Sequence, residues 1–277
     1  MTGYTQWSKM GNKIRPVGNT IKEIPPNAYR IKSSMFEGTY LEEMSILTDK
    51  LHVVPSKPYN FIVDNLQSFW SKEAHFKDFG MLYKRGILMY GAPGCGKTSI
   101  INTVSKNHTD SGGIVIYVED IDDAVEILPS VRSIEPSRKL LCIIEDVEEV
   151  CRGSEIELLA LLDGEVQVDN VAYIATTNYI EKLPSRVSSR PSRFDVVINV
   201  PNPDLATRMA YLSSISDKLR DDEDELNLWG VMTKGYSFAF LKELVLSVYL
   251  FELSLEESIE RLNNMNNKVF KNSDPED

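Results

Sequence analysis

Gly91-Ala92-Pro93-Gly94-Cys95-Gly96-Lys97-Thr98 has the pattern G-x-x-x-x-G-K-T, the spacing of a phosphate-binding loop. The apolar run Gly86-Ile87-Leu88-Met89-Tyr90 leads into it, and Ser99-Ile100-Ile101-Asn102-Thr103-Val104 leaves it with helical spacing. Strand, loop and helix in that order are the context such a loop requires. Glycines let the backbone curl until successive N–H groups face one point. The helix that starts near Lys97 adds free N–H groups and the positive end of its dipole. Lys97 brings a full positive charge for the β- and γ-phosphates, and Thr98 a hydroxyl for a magnesium ion. Gly91 to Thr98, with Ser99 behind them, are therefore the candidate cradle of a nucleoside triphosphate and its Mg2+.

Outward from this loop, apolar runs recur at Ile114–Val118, Leu140–Ile144, Val171–Thr176 and Val196–Val200, with helical patterns between them. Near-continuous apolar strands mean a parallel sheet covered on both faces, so the expected fold class is α/β, with helices flanking the sheet. From Asp204 onward only helical patterns remain, at Asp204–Leu219, Phe238–Phe251 and Leu255–Asn264, which predicts a small all-helical lid. Asp221-Asp222-Glu223-Asp224-Glu225 reads as a solvated loop, and the polar stretch after Leu262 as a frayed end. Upstream, residues 1–26 read as an extended or partly disordered arm punctuated by glycine and by Pro16, Pro25 and Pro26. Tyr29–Lys32 alternates like a short strand, Leu41–Leu51 has the spacing of a short helix, and Tyr59–Lys72 that of an amphipathic helix. The division expected is 1–58 arm and linker, 59–203 α/β core, 204–264 helical lid and 265–277 polar tail.

Of 277 residues, 30 are Lys or Arg and 41 are Asp or Glu, a net charge of −11. The first 58 hold eight basic and five acidic residues, leaving 22 and 36, a net of −14, for the rest. Such an acidic body disfavours a broad nucleic-acid face, which must neutralise phosphates. Cys95, Cys142 and Cys151 have neither disulfide nor metal spacing. His52, His75 and His108 have no ligand partners at metal spacing and read as surface or packing residues. No charged-then-apolar leader and no long apolar run occurs. The expectation is a cytoplasmic protein in a reducing compartment, without membrane insertion.

Some fifty residues after the loop, Leu140-Leu141-Cys142-Ile143-Ile144 ends in Glu145-Asp146. An apolar strand closed by paired acids has the form of the Walker-B element, in which one acid serves the magnesium and the other the attacking water. Glu148 and Glu149 read as the exposed start of a helix.

Together, the loop and the acid-ended strand resemble those of the AAA ATPases. Leu158–Gly164 is similar to that family's helix ending in Leu-Asp-Gly, Ala175-Thr176-Thr177-Asn178 to its sensor strand, and Arg190-Pro191-Ser192-Arg193-Phe194-Asp195 to its arginine box. Asn202-Pro203-Asp204 resembles its lid entry, and Gly235-Tyr236-Ser237 its lid turn. The resemblance runs from about Tyr59 to Leu262. It implies ATP hydrolysis with Mg2+ in a homo-oligomeric ring, a hexamer or heptamer, acting on a macromolecular substrate, protein rather than nucleic acid. It assigns Glu145 to the metal together with Thr98, Asp146 to the water, and Asn178 to the γ-phosphate or that water. Arg190 and Arg193 become fingers for a neighbour's ATP, and Ala239 a lid contact to the nucleotide. Within the family, Arg85–Gly91, Pro93–Lys97 and the order Glu145-Asp146, reversed from the usual Asp-Glu, resemble the mitochondrial Rieske-protein translocase-like subfamily, whose transmembrane segment has no counterpart here.

Two departures stand out. The expected pore loop, Val118-Glu119-Asp120-Ile121-Asp122-Asp123-Ala124, is acidic and lacks an aromatic residue, and Phe238 replaces the usual lid glycine. Two other functions fit the same residues: a nucleotide-bound scaffold with little turnover, or a DNA-transaction loader.

Overall fold

A computed structural model describes residues 6–10, 13–36, 38–45 and 54–271. The described residues begin with β1 (Gln6–Met10) and β2 (Lys13–Val17), an antiparallel pair where an extended or partly disordered arm was expected. β3 (Ala28–Ser34) contains the expected Tyr29–Lys32 strand. β4 (Gly38–Met44) corrects the helix expected from Leu41, and residues 46–53 lie outside the described ones. Leu41-Glu42-Glu43-Met44 suits a helix locally, but pairing prevails: Ile31 faces Leu41 across an antiparallel ladder, while Tyr29 and Arg30 pair with a core strand on the other side. This hairpin, upstream of residue 59, thereby belongs to the central sheet.

α1 (Lys57–Trp70) is capped by the Ser56 hydroxyl and carries Pro58 in its first turn, where a missing N–H costs nothing. It buries Ile62, Leu66 and Phe69. α2 (Glu73–Asp78) and β5 (Lys84–Tyr90) follow, then α3 (Lys97–Asp110), β6 (Ile114–Tyr117), α4 (Ile121–Ile134) and β7 (Leu140–Ile144). α5 (Val147–Asp163) breaks its helical geometry at Ser154. β8 (Val171–Thr177), α6 (Ser185–Ser188) and β9 (Val196–Asn199) complete the α/β part. All five strands expected from apolar runs are present.

The sheet order is β4-β3-β6-β7-β8-β5-β9, parallel except for β4 against β3. Alternation within the apolar runs serves two cores. Leu88, Leu140, Cys142 and Ile144 pack on one face, and Ile87, Met89, Leu141 and Ile143 on the other. Each fully buried aliphatic side chain contributes about 1.5–3 kcal/mol, so these runs order the middle of the sheet most strongly. β8 lies between β7 and β5, with Ile144 beside Ala175 and Tyr90 beside Thr177. The carboxyl ends of these three strands therefore meet at one edge, where ligands bind in open α/β sheets.

The C-terminal helices, in the region expected as a lid, are α7 (Leu205–Ile215), α8 (Asp217–Asp221), α9 (Glu223–Met232), α10 (Phe238–Tyr249) and α11 (Leu255–Lys271). α9 replaces much of the expected acidic loop. Asp222 caps it through the Glu225 amide, and Glu223, Asp224 and Glu225 occupy its first turn, where acids favour the helix dipole. Fully buried Trp229 ties α9 to the lid core and stacks on Tyr249 at 5.6 Å. α11 continues seven residues past the helix end expected at Asn264, through part of the stretch expected to fray after Leu262; residues 272–277 lie outside the described ones. No helix of the described residues is long and apolar enough to cross a membrane.

His108 on α3 is a packing residue, as its lack of metal-spaced partners suggested. It is buried against Trp70, with Nε2 3.1 Å from the Lys139 carbonyl oxygen. Burial pushes its pKa down from about 6.5 to about 4. Below pH 6.5 the unfolded chain therefore takes up a proton that the folded chain refuses. Stability should fall by up to about 3 kcal/mol between pH 6.5 and pH 4 on this account. Urea midpoints of the native protein and His108→Gln at pH 7 and pH 5 test this; the variant should lose less on acidification.

Candidate functional site

The loop after β5 needs its glycines for different reasons. A Cβ on Gly91 would stand 2.2 Å from the Val200 carbonyl oxygen, so backbone contact with the β9 end excludes any side chain. Gly96, at φ +103°, turns the chain into α3 in a conformation that L-residues rarely adopt. Cys95 is buried beneath the loop, and burial pushes its thiol pKa up, so it packs there as a neutral thiol. Ala92, Pro93, Gly94, Thr98 and Ser99 are exposed.

Lys97 is only 8% exposed, and its ammonium is directed back over the loop. Nζ donates to the Gly91 carbonyl at 2.6 Å, the Ala92 carbonyl at 3.3 Å and Oδ1 of Asn178 at 2.7 Å. Asn178 in turn donates from Nδ2 to Oδ1 of Asp146 at 3.1 Å. Thr98 Oγ1 donates to Oε1 of Glu145 at 3.0 Å. The cation, the amide, both acids and the hydroxyl expected from the sequence are thus brought together over the N-terminus of α3.

Two acids next to each other in sequence face different partners because the backbone twists between them. Asp146 sits at φ 48°, ψ 52°, left-handed, at the junction of β7 and α5. Its amide donates to Thr176 Oγ1 on β8 at 3.3 Å. Glu148 is 5% exposed, which corrects its expected exposure. Its Oε1 accepts the Asn178 amide at 3.3 Å, so it secures the end of β8; Glu149 is exposed as expected.

Thr98 and Glu145 supply hard oxygen donors side by side, as Mg2+ requires when it keeps several waters. The surrounding cleft is lined by Pro93, Gly94, Lys97, Ser99, Thr176 and Lys242, among others. Lys242 had no sequence signal beyond lying three residues after Ala239 on one helix. Ala239 itself donates its amide to the Gly94 carbonyl at 3.4 Å, which places the lid on the loop. A second, more apolar cavity lies beside Cys95 and Ile100, walled by Val54, Tyr59, Tyr211 and Phe238. None of Val54, Tyr59 and Tyr211 was identifiable in the sequence, because they converge from α7 and from the segment that opens α1.

The arginine box folds elsewhere. Asp195 accepts the Gly86 amide at 2.8 Å, and a Cβ on Gly86 would meet the Arg193 carbonyl oxygen at 2.1 Å. Gly86 is five residues from the loop at the other end of β5, about 16 Å away at strand rise. Arg193 is 7% exposed; its Nε donates to Asp163 at 2.8 Å and an Nη to the Arg186 carbonyl. Arg190 is exposed and has no ion pair among the described residues, while Arg186 is paired with Glu155. In the acidic segment before α4, Glu119 is paired with Arg30 and Lys32 of β3, and Asp120 caps the helix.

Residues 87–202 match the family described as "ATPase family associated with various cellular activities (AAA)". The chain is 29% identical over 223 residues to the proteasome-activating nucleotidase of Saccharolobus solfataricus, covering 70% of this chain and 56% of the relative. It is 28% identical over 232 residues to that of Sulfurisphaera tokodaii, covering 72% and 58%. With the protein of that description from Saccharolobus islandicus it shares 30% over 192 residues, covering 61% and 48%. The chain thus spans about half the length of these curated relatives. The loop, the acid-ended strand β7 and β8, which meet at one sheet edge, all lie within residues 87–202, the part of this chain that is similar to the AAA family of ATPases.

Proposed function

We propose that the protein is a Mg2+-dependent ATPase that works as a homo-oligomeric ring and remodels or translocates a macromolecule, a protein in preference to a nucleic acid. The observation that carries this is the linked set Lys97–Asn178–Asp146 beside Thr98–Glu145 over a helix N-terminus. Bound Mg2+ would be held by Thr98 and Glu145 and would neutralise charge on the phosphates. Lys97 exchanges its carbonyl partners for phosphate oxygens. Asp146 takes the proton of the attacking water, and Asn178 orients it. Loop residues Gly91 to Ser99 cradle the phosphates, and Ala239 couples the lid to them.

Arg190 is assigned as the finger that reaches a neighbouring copy, because it is exposed and its box lies far down β5 from the loop of its own chain. Arg193, expected as a finger too, is committed to Asp163 and Arg186 and holds the box in place. In related chemistry a finger contributes about 10³–10⁵ in rate. Arg190→Ala should therefore lose most turnover without losing stability, and subunits carrying Lys97→Ala but an intact Arg190 should restore part of it on mixing. Arg193→Ala should lower the melting temperature, since it leaves Asp163 unpaired. The division into a core of 59–203, extended by the β3–β4 hairpin, and a lid of 204–264 belongs to the same proposal. A cytoplasmic, reducing location fits three free cysteines. The finer likeness to the Rieske-protein translocase-like subfamily, expected from Arg85–Gly91, Pro93–Lys97 and the Glu145-Asp146 order, is not supported by the relatives named above, which are proteasome-activating nucleotidases.

The test is the rate of Mg-ATP hydrolysis per subunit against protein concentration. A rate that climbs and saturates is expected of a site completed by assembly. A constant low rate alongside tight ATP binding would replace the ring enzyme with a nucleotide-bound scaffold.

A further inference from the structure

The nucleotide cleft is divided. Its polar half holds Lys97, Thr98 and the two acids, and its apolar half lies beside Ile100, Tyr59 and Val54. Both halves share Gly96, Ser99, Tyr211 and Phe238. A Cβ on Gly96 would stand 3.1 Å from Cδ2 and Cε2 of Phe238, so the ring lies directly on the loop backbone. Non-bonded carbon atoms need about 3.5–4.0 Å, and no ligand atom fits between ring and loop. The ring of Tyr211 meets that of Phe238 edge-on at 4.9 Å, and both residues belong to the lid.

A nucleoside triphosphate is one covalent molecule with a flat apolar end and a polyanionic end. It suits both halves only if its sugar passes along the boundary where Phe238 stands. We propose, resting on the ATP-site assignment above, that Phe238 limits nucleotide affinity in this site. Its ring separates the base half from the phosphate half, and a ligand occupying both must displace it. A ligand confined to the polar half leaves the ring in place. Phe238 is the first residue of α10, so displacing it pulls on the lid segment whose Ala239 amide touches Gly94.

Calorimetric binding of ATP and of inorganic triphosphate, both with Mg2+, separates these cases. Phe238→Ala should bind ATP about tenfold more tightly and inorganic triphosphate as the native protein does. Phe238→Leu keeps apolar bulk at the lid core and should fall between the two for ATP, which guards against a folding defect. Unchanged or weaker ATP binding in Phe238→Ala would overturn the proposal, and so would a parallel change for triphosphate. Failure of the underlying assignment looks different: Lys97→Ala would then still bind triphosphate whichever residue stands at 238, and the proposal would fall with it.

Discussion

Lys97→Ala should abolish ATP binding while leaving the fold in place. The Lys97 ammonium is held by two loop carbonyls and by Asn178, all within 3.3 Å. It is thus stationed where phosphates are to arrive, and binding exchanges neutral acceptors for charged ones. A charge-assisted hydrogen bond contributes about 1.5–3 kcal/mol. Losing one to each of two phosphates weakens binding by roughly 100-fold or more. Gly91 is partly exposed and Ala92 exposed, so water can replace the ammonium at their carbonyls. The cost in stability should therefore be small beside the cost in affinity. Titration calorimetry with Mg-ATP measures the loss, and a melting curve without nucleotide checks the fold. ATP affinity within a few-fold of the native value would remove the phosphate-loop assignment and every role built on it.

The phosphate loop and the strand ends were legible in sequence because their physics is local. A G-x-x-x-x-G-K-T run needs only its own glycines to curl, and parallel strands covered on both faces are bound to be apolar throughout. Neighbouring strands then bring Gly91, Glu145 and Asn178 together with no further information. What was not legible depends on partners distant in the chain. Leu41–Met44 is a strand because β3 pairs with it, and nothing within the segment says so. Asp221–Glu225 has the composition of a loop, yet Asp222 at a helix N-cap and three acids in the first turn are what starts a helix there, once Trp229 has a core to enter. Glu148 looked like any surface acid until the Asn178 amide was found against it. In the arginine box, residue type alone does not separate Arg190 from Arg193; only the burial of Arg193 against Asp163 does. Phe238 was visible as a departure, but its position between two halves of a cleft depends on how the lid sits on the loop.

Asp146→Asn should stop turnover and spare binding, whereas Glu145→Gln should shift the requirement for magnesium. The two acids are adjacent in sequence but face different partners, Asn178 for Asp146 and the Thr98 hydroxyl for Glu145. Asparagine at 146 keeps the shape and can still accept from Asn178 through its oxygen, but it no longer takes a proton from water. General-base catalysis contributes about 10²–10⁴ in rate, and a loss of that size is expected at any magnesium concentration. Glutamine at 145 retains one neutral oxygen near Thr98. It should hold the ion less tightly, so that raising Mg2+ recovers part of the rate. Turnover measured across a magnesium series for both variants decides between the roles. If Glu145→Gln stayed inactive at saturating magnesium while Asp146→Asn was rescued, the roles would be exchanged. The reversed order of the acids would then reverse their functions as well, with the longer side chain reaching the water and the shorter one the metal.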